Sequence, residues 1–152
     1  MPAKTSQSVD AEDKILPDLL PYLLQRASFL VTREFHRKLQ LGKVPPNRWR
    51  MMVWLSENQP YSISDLTDRL MLKQPSVTQL VDNAIRDGLV RKDSDPDDAR
   101  RTVITLTEEG EELVARIRER ALIGREHVET MLGADLSRQL TARLKETIER
   151  LE

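Results

Sequence analysis

From Ser62 to Gly88 the chain writes two helical patterns with only three residues between them, and that spacing constrains the fold more than any other feature. Ser62-Ile63-Ser64-Asp65 has the form of a capping box, in which the serine hydroxyl accepts from the Asp65 N–H, and predicts a short helix to about Leu70. Met71, Leu72 and Lys73 make a tight connection. Gln74-Pro75 then restarts the helix with proline in its first turn, where a fixed φ is suitable and a missing N–H costs nothing. Val77, Leu80, Val81, Ala84 and Ile85 fall on one face at i, i+3, i+4, i+7 and i+8, and Asp87-Gly88 ends the pattern with a glycine suited to the left-handed conformation. Two short helices joined this tightly predict a helix-turn-helix.

Strands are expected next, over Leu89–Asp93 and Thr102–Leu106, the second through its β-branched run. Between them Ser94 to Arg101 is too polar and too broken by Pro96 to be a strand, which makes a hairpin with a long charged tip. A helix-turn-helix followed by such a hairpin is a winged helix. Ahead of it, Leu19, Leu20, Leu23, Ala27, Leu30, Val31, Phe35 and Leu39 lay one apolar stripe along a helix that Asp18 is expected to cap and that Gly42 and Pro45-Pro46 stop. A second helix, roughly Asn47 to Ser56, is apolar on nearly all sides and belongs in the middle of the fold. After the hairpin, Thr107 caps a helix running to about Leu132, and Leu136, Leu140, Leu144, Ile148 and Leu151 form the seam of a last one.

The expected architecture is therefore mostly α: about six helices plus a two-stranded β-hairpin wing. It divides into a flexible arm (1–14), a dimerisation helix (15–44), a winged helix-turn-helix lobe (45–106) and two further dimerisation helices (107–152). The lobe is too small to cover the stripes of the flanking helices. Leu19, Leu23, Leu136, Leu140, Leu144 and Ile148 are the candidate contacts of a homodimer, in which a two-fold axis pairs each stripe with its own copy. An intramolecular three-helix bundle is the alternative.

Composition narrows the function. The 152 residues carry a formal charge of -1 and no cysteine, which removes thiol nucleophiles, disulfides and thiolate metal sites and suits a reducing compartment. His36 and His127 are the only histidines, no glycine-rich phosphate loop occurs, and no spacing suggests a catalytic constellation, so neither an enzyme nor a metal or other cofactor is expected. The longest stretch without a charge, Gln74 to Val81, is far too short to cross a bilayer, and a cytoplasmic protein without membrane contact is expected.

The outward face of the second motif helix is rich in side chains that bond base edges and phosphates. Lys73, Gln74, Ser76, Thr78 and Gln79 rank ahead of Asn83 and Arg86, because the N-terminal turns of a recognition helix enter the major groove. Arg69 to Lys92 carries a net +3, whereas Asp93, Asp95, Asp97 and Asp98 outnumber Arg100 and Arg101 at the hairpin tip. The economical reading is that carboxylates such as Asp98 hold the tip arginines, leaving one to enter the minor groove, while Asp82 pairs with a wing arginine. A solvated charge run is the plainer alternative.

Asp98-Ala99-Arg100, five residues, Leu106-Thr107, two residues and Gly110 together resemble the wing signature of the multiple-antibiotic-resistance regulator (MarR) family. Arg48-Trp49-Arg50, Ser62 to Leu70, Ser76 to Asp82 and Asp87-Gly88-Leu89-Val90 extend the resemblance, which runs from about Leu19 to Leu151. Gln79 stands where family members commonly have arginine, and Pro75 begins the helix, so the preferred DNA sequence is expected to differ. The resemblance implies a homodimeric transcriptional regulator, a repressor by preference, that binds pseudo-palindromic duplex DNA. It also implies relief by an aromatic or phenolic effector lodged between the dimer helices and the lobe, where His36, Arg48, Trp49 and Met52 are the candidates. A winged-helix protein-interaction module without DNA binding is the alternative function.

Overall fold

The computed structural model describes residues 15–40, 42, 44–57 and 60–152; the arm expected at 1–14 lies outside them. A 3-10 turn at Leu16–Asp18 precedes α1 (Leu20–Leu39), α2 (Pro46–Glu57), α3 (Ile63–Leu70) and α4 (Gln74–Arg86). The strands β1 (Val90–Ser94) and β2 (Thr102–Leu106) follow, then α5 (Glu108–Leu132) and α6 (Ala134–Leu151). The strands are antiparallel, with Val90 opposite Leu106 and Ser94 opposite Thr102. Tyr61 adds an isolated bridge to β2, its carbonyl accepting from the Ile104 N–H at 2.8 Å, and so ties the segment before α3 to the hairpin.

Local chemistry sets most of these limits. Ser62 and Asp65 close the capping box in both directions, and Met71 ends α3 in the left-handed region at φ 54°. Lys73 occupies the N-cap of α4, and Gly88 supplies φ 72° after it. The start of α1 departs from expectation. Asp18 does not cap it: Pro17 and Asp18 are spent in the 3-10 turn, and the N-cap is Leu19, which has no side-chain hydrogen bond to offer. Strand β1 also begins and ends one residue later than the pattern suggested: the Leu89 N–H is spent closing α4 on the Ala84 carbonyl at 2.9 Å, and Ser94 pairs with Thr102 at the other end.

One core holds the lobe together. Met51, Met52 and Leu55 of α2 meet Leu66 and Leu70 of α3, Val77, Val81 and Ala84 of α4, Val90 and Ile104 of the hairpin, and Val114 and Ile117 of α5. Helix α5 therefore leaves the lobe as a rigid extension of its core, and α1 packs along it. At their crossing Gly124 lies so close to Phe35 that a β-carbon there would stand 2.9 Å from the ring. The intramolecular three-helix bundle is not what forms: α6 has no buried residue, and Leu136, Leu140, Leu144 and Ile148 remain 41–53% exposed.

Candidate nucleic-acid interface

Because Val77, Val81 and Ala84 turn one side of α4 into the core, the other side must face outward. Lys73, Gln74, Ser76, Gln79, Asp82 and Arg86 are exposed there, and Thr78 and Asn83 are half-buried at its edges. The Thr78 hydroxyl donates to the Gln74 carbonyl at 3.0 Å, so toward an outside group it is left as an acceptor. No side chain caps the N-terminus of α4, which leaves the positive end of its dipole open to an anion such as a phosphate.

The hairpin tip is braced from below. Arg101 donates to Asp95 at 2.9 Å and to Asp65, the same carboxylate that closes the capping box of α3. Burial pushes the Asp65 carboxyl up, but hydrogen bonds from Ser62 and the Arg101 charge outweigh it and hold the group below the usual carboxylate range. Asp98 shapes the loop through its backbone partners: its carboxylate accepts from the Arg100 N–H at 3.0 Å and its carbonyl from the Arg101 N–H at 2.9 Å. Asp93 is spent within the strands, where the Thr105 hydroxyl and then Arg91 keep its carboxyl low against a smaller opposing effect of burial.

Asp82 pairs with Lys92 on β1 at 3.4 Å, not with a wing arginine as the sequence suggested: Arg100 and Arg101 lie beyond the strands at the tip, and Arg91 on β1 pairs with Asp93. The carboxylates of Asp65, Asp82, Asp93 and Asp95 are thus occupied within the lobe. Among the described residues Lys73, Arg86 and the Arg100 side chain have no ion pair, and these sit at the two ends of α4 and at the wing tip. The signal for Asp95 was present in the tip's excess of acid. Nothing local marks the second role of Asp65, whose partner lies 36 residues away.

The signature residues after the wing have a mechanical basis. The Thr107 hydroxyl accepts from the Gly110 N–H at 3.1 Å to cap α5 while donating to the Gly88 carbonyl at 2.6 Å. Gly110 sits where any β-carbon would lie 2.1 Å from the Leu89 carbonyl oxygen. Wing, α4 and α5 are locked together at this point.

Behind the lobe, α1, α2, α5 and α6 enclose a cleft of about 940 Å³. Phe35, His36 and Trp49 form one wall, the rings of Phe35 and Trp49 lying 5.7 Å apart between centroids. The Trp49 indole donates to His36 Nε2 at 3.3 Å, so this nitrogen must carry a lone pair; burial and then the Arg50 charge lower the His36 pKa and favour the neutral ring. Arg50 and Arg125 bring positive charge to the cleft, with Glu129 3.5 Å from Arg125. Of the residues expected here, His36 and Trp49 are brought together, whereas Met52 is fully buried in the core. Arg48 also turns away, toward Asp87 at 2.6 Å, because consecutive residues of a helix point to different faces. Its Nε is buried without a hydrogen-bond partner, an arrangement that costs about 1–3 kcal/mol. Sequence reasoning missed Arg50, Arg125 and Phe35, the last because its place in the α1 stripe reads equally well as a dimer contact.

Comparison with known proteins agrees with this geometry. Residues 43–101 match the MarR family profile. The HTH-type transcriptional repressor IacR of Pseudomonas putida is 31% identical over 110 residues, which span 72% of this chain and 66% of that protein. The homoprotocatechuate degradative operon repressor of Escherichia coli is 28% identical over 131 residues, 86% of this chain and 88% of that repressor. In structure, Bordetella bronchiseptica BpsR, described with the regulation of its DNA binding by 6-hydroxynicotinic acid, superposes with a TM-score of 0.75 at 19% identity over 88% of this chain and 96% of its own. The relatives are regulators rather than enzymes. On the profile match and the sequence relatives, the chain belongs to the MarR family of winged helix-turn-helix transcriptional regulators.

Proposed function

We propose that this protein is a cytoplasmic, homodimeric repressor that binds pseudo-palindromic duplex DNA, with α4 in the major groove and the wing in the minor groove. The observation that carries the reading is the distribution of unpaired charge. Among the described residues the lobe pairs Asp65, Asp82, Asp87, Asp93 and Asp95 with its own cations and leaves Lys73, Arg86 and Arg100 without an ion pair on the surface that two reading heads would present to a duplex, with Asp97 and Asp98 unpaired beside Arg100 at the tip. Arg101 braces the tip and Arg100 is the side chain that enters the minor groove; Gln74, Ser76, Thr78, Gln79 and Asn83 supply base and phosphate contacts. Residues 45–106 form the reading lobe, and α1, α5 and α6 the dimerising part.

The cleft suits the effector. A small aromatic acid would stack on Trp49 and Phe35 while Arg50 and Arg125 pair its carboxylate, the combination of apolar walls and a few converging charges that ligand sites commonly show. An effector of the same kind regulates the DNA binding of BpsR, to which this chain is similar in fold.

Selection of bound duplex from a random pool, followed by gel shift across salt concentrations, tests the reading. The expected result is binding to an inverted repeat with half-sites about one helical turn apart. Arg100→Ala should weaken binding on every sequence and reduce the salt slope by about 1 per protomer, and Gln79→Ala should change the preferred sequence. A protein that ignores duplex DNA at low salt would instead be a protein-interaction module.

A further inference from the structure

Resting on the reading above, we propose that the ion pair of Arg48 with Asp87 is the strut that couples the cleft to the recognition helix, so that the state of one biases the pose of the other. Arg48, Trp49 and Arg50 are consecutive in the first turns of α2, and their side chains part company. Trp49 and Arg50 wall the cleft, and Arg48 reaches to Asp87, the residue that ends α4. The pair is short at 2.6 Å, with the Arg48 side chain 18% exposed and that of Asp87 49% exposed. A guanidinium placed there adds a cation at the negative end of the α4 dipole.

Arg48 holds this position although its Nε is buried without a partner. The opposite end of α4 is connected to the same cleft. Met71, the left-handed residue of the turn between α3 and α4, also lines it, with its side chain largely exposed. A displacement of the first turn of α2 is thus passed to the C-terminal end of α4 by Arg48, while Met71 reports on the N-terminal end. Of the two links, the ion pair is the directional one: a charged bond between two helices transmits a shift, whereas one flexible thioether side chain accommodates it.

Coupling between two sites is reciprocal, so DNA itself serves as the probe and no effector is needed. The chain has two tryptophans, and in a Trp54→Phe background fluorescence reports Trp49 alone. Titration with a duplex selected from a random pool should shift the Trp49 emission as the DNA sites fill. Asp87→Asn in the same background should bind that duplex about tenfold more weakly and lose the shift at saturation, and Asp87→Glu should restore it. Arg48→Gln serves as the second disrupting variant should Asp87→Asn unfold, with circular dichroism checking both. Saturable DNA binding with no change at Trp49, a shift that persists without the ion pair, or failure of Asp87→Glu to restore it would overturn the strut. Absence of any DNA binding by the unsubstituted protein would overturn the regulator reading itself, and the two failures are told apart by the binding isotherm.

Discussion

A methyl group at Gly110 would press against the Leu89 carbonyl at 2.1 Å, and that oxygen is backbone, with nowhere to retreat. It is also the acceptor for the Thr107 N–H, so relieving the clash means lengthening the bond that fixes the start of α5 on the turn after α4. Gly110→Ala should therefore destabilise the protein by about 1–3 kcal/mol in spite of alanine's better helix propensity, because overpacking against a rigid atom outweighs a gain of about 1 kcal/mol. A fall of roughly 2–12 °C in the thermal midpoint, at about 2–4 °C per kcal/mol for a chain of this length, is the corresponding signal by differential scanning calorimetry. An unchanged midpoint would mean that α5 shifts freely at its first turn. The glycine was visible in the sequence as part of a signature, but the atom it avoids was not, since Leu89 lies 21 residues earlier. The same holds for Arg48, which reads as a plausible cleft residue until its partner 39 residues away is known. Ser62 and Asp65 were legible because their chemistry is completed within four residues.

At the level of elements, α1 and α2 meet through His36 and Trp49, and that contact depends on charge state. Nε2 of His36 accepts from the indole, and burial together with Arg50 disfavours the imidazolium. With the folded-state pKa below 6.5, the unfolded chain binds more protons between that lowered value and about 6.5, so stability rises with pH across this interval and is flat above it. Replacing the ring by a neutral side chain in His36→Gln should flatten that limb in urea-melt series from pH 5 to 8. A slope identical to that of the unsubstituted protein would place its origin in another group. The wing titrates at lower pH: Asp65 sits below 3.8, so the stability it contributes is present above that value and is lost as the carboxyl protonates. Helix and strand limits were largely readable from periodicity and caps, as at Thr102–Leu106. The start of α1 was not, because Asp18 is a good N-cap in isolation and only the competing 3-10 turn removes it.

On the scale of the whole molecule, residues 45–106 carry nine basic against nine acidic side chains, so net charge alone does not give tight DNA binding, and the open seam of α6 becomes relevant. A single reading head offers few phosphate contacts, whereas two heads held at a fixed separation make the second contact intramolecular at an effective concentration of about mM. In the proposed dimer the seam would fix the separation: Leu136, Leu140, Leu144 and Ile148 form one ridge on a helix that contributes nothing to the lobe core, and Leu19 and Leu23 are exposed at the start of α1. Leu140→Asp combined with Leu144→Asp would force two carboxylates into each copy of a two-fold contact while leaving every core residue in place. The variant should sediment as a folded monomer with an unchanged far-ultraviolet spectrum per residue. Its affinity for the selected inverted repeat should fall by about 10²- to 10⁴-fold, the range that loss of bivalent attachment produces. It should also bind one half-site and the full repeat with nearly equal affinity per site, a distinction that separates lost geometry from a damaged reading head. A monomer that kept full affinity for the repeat would show that α6 plays no part in spacing the heads.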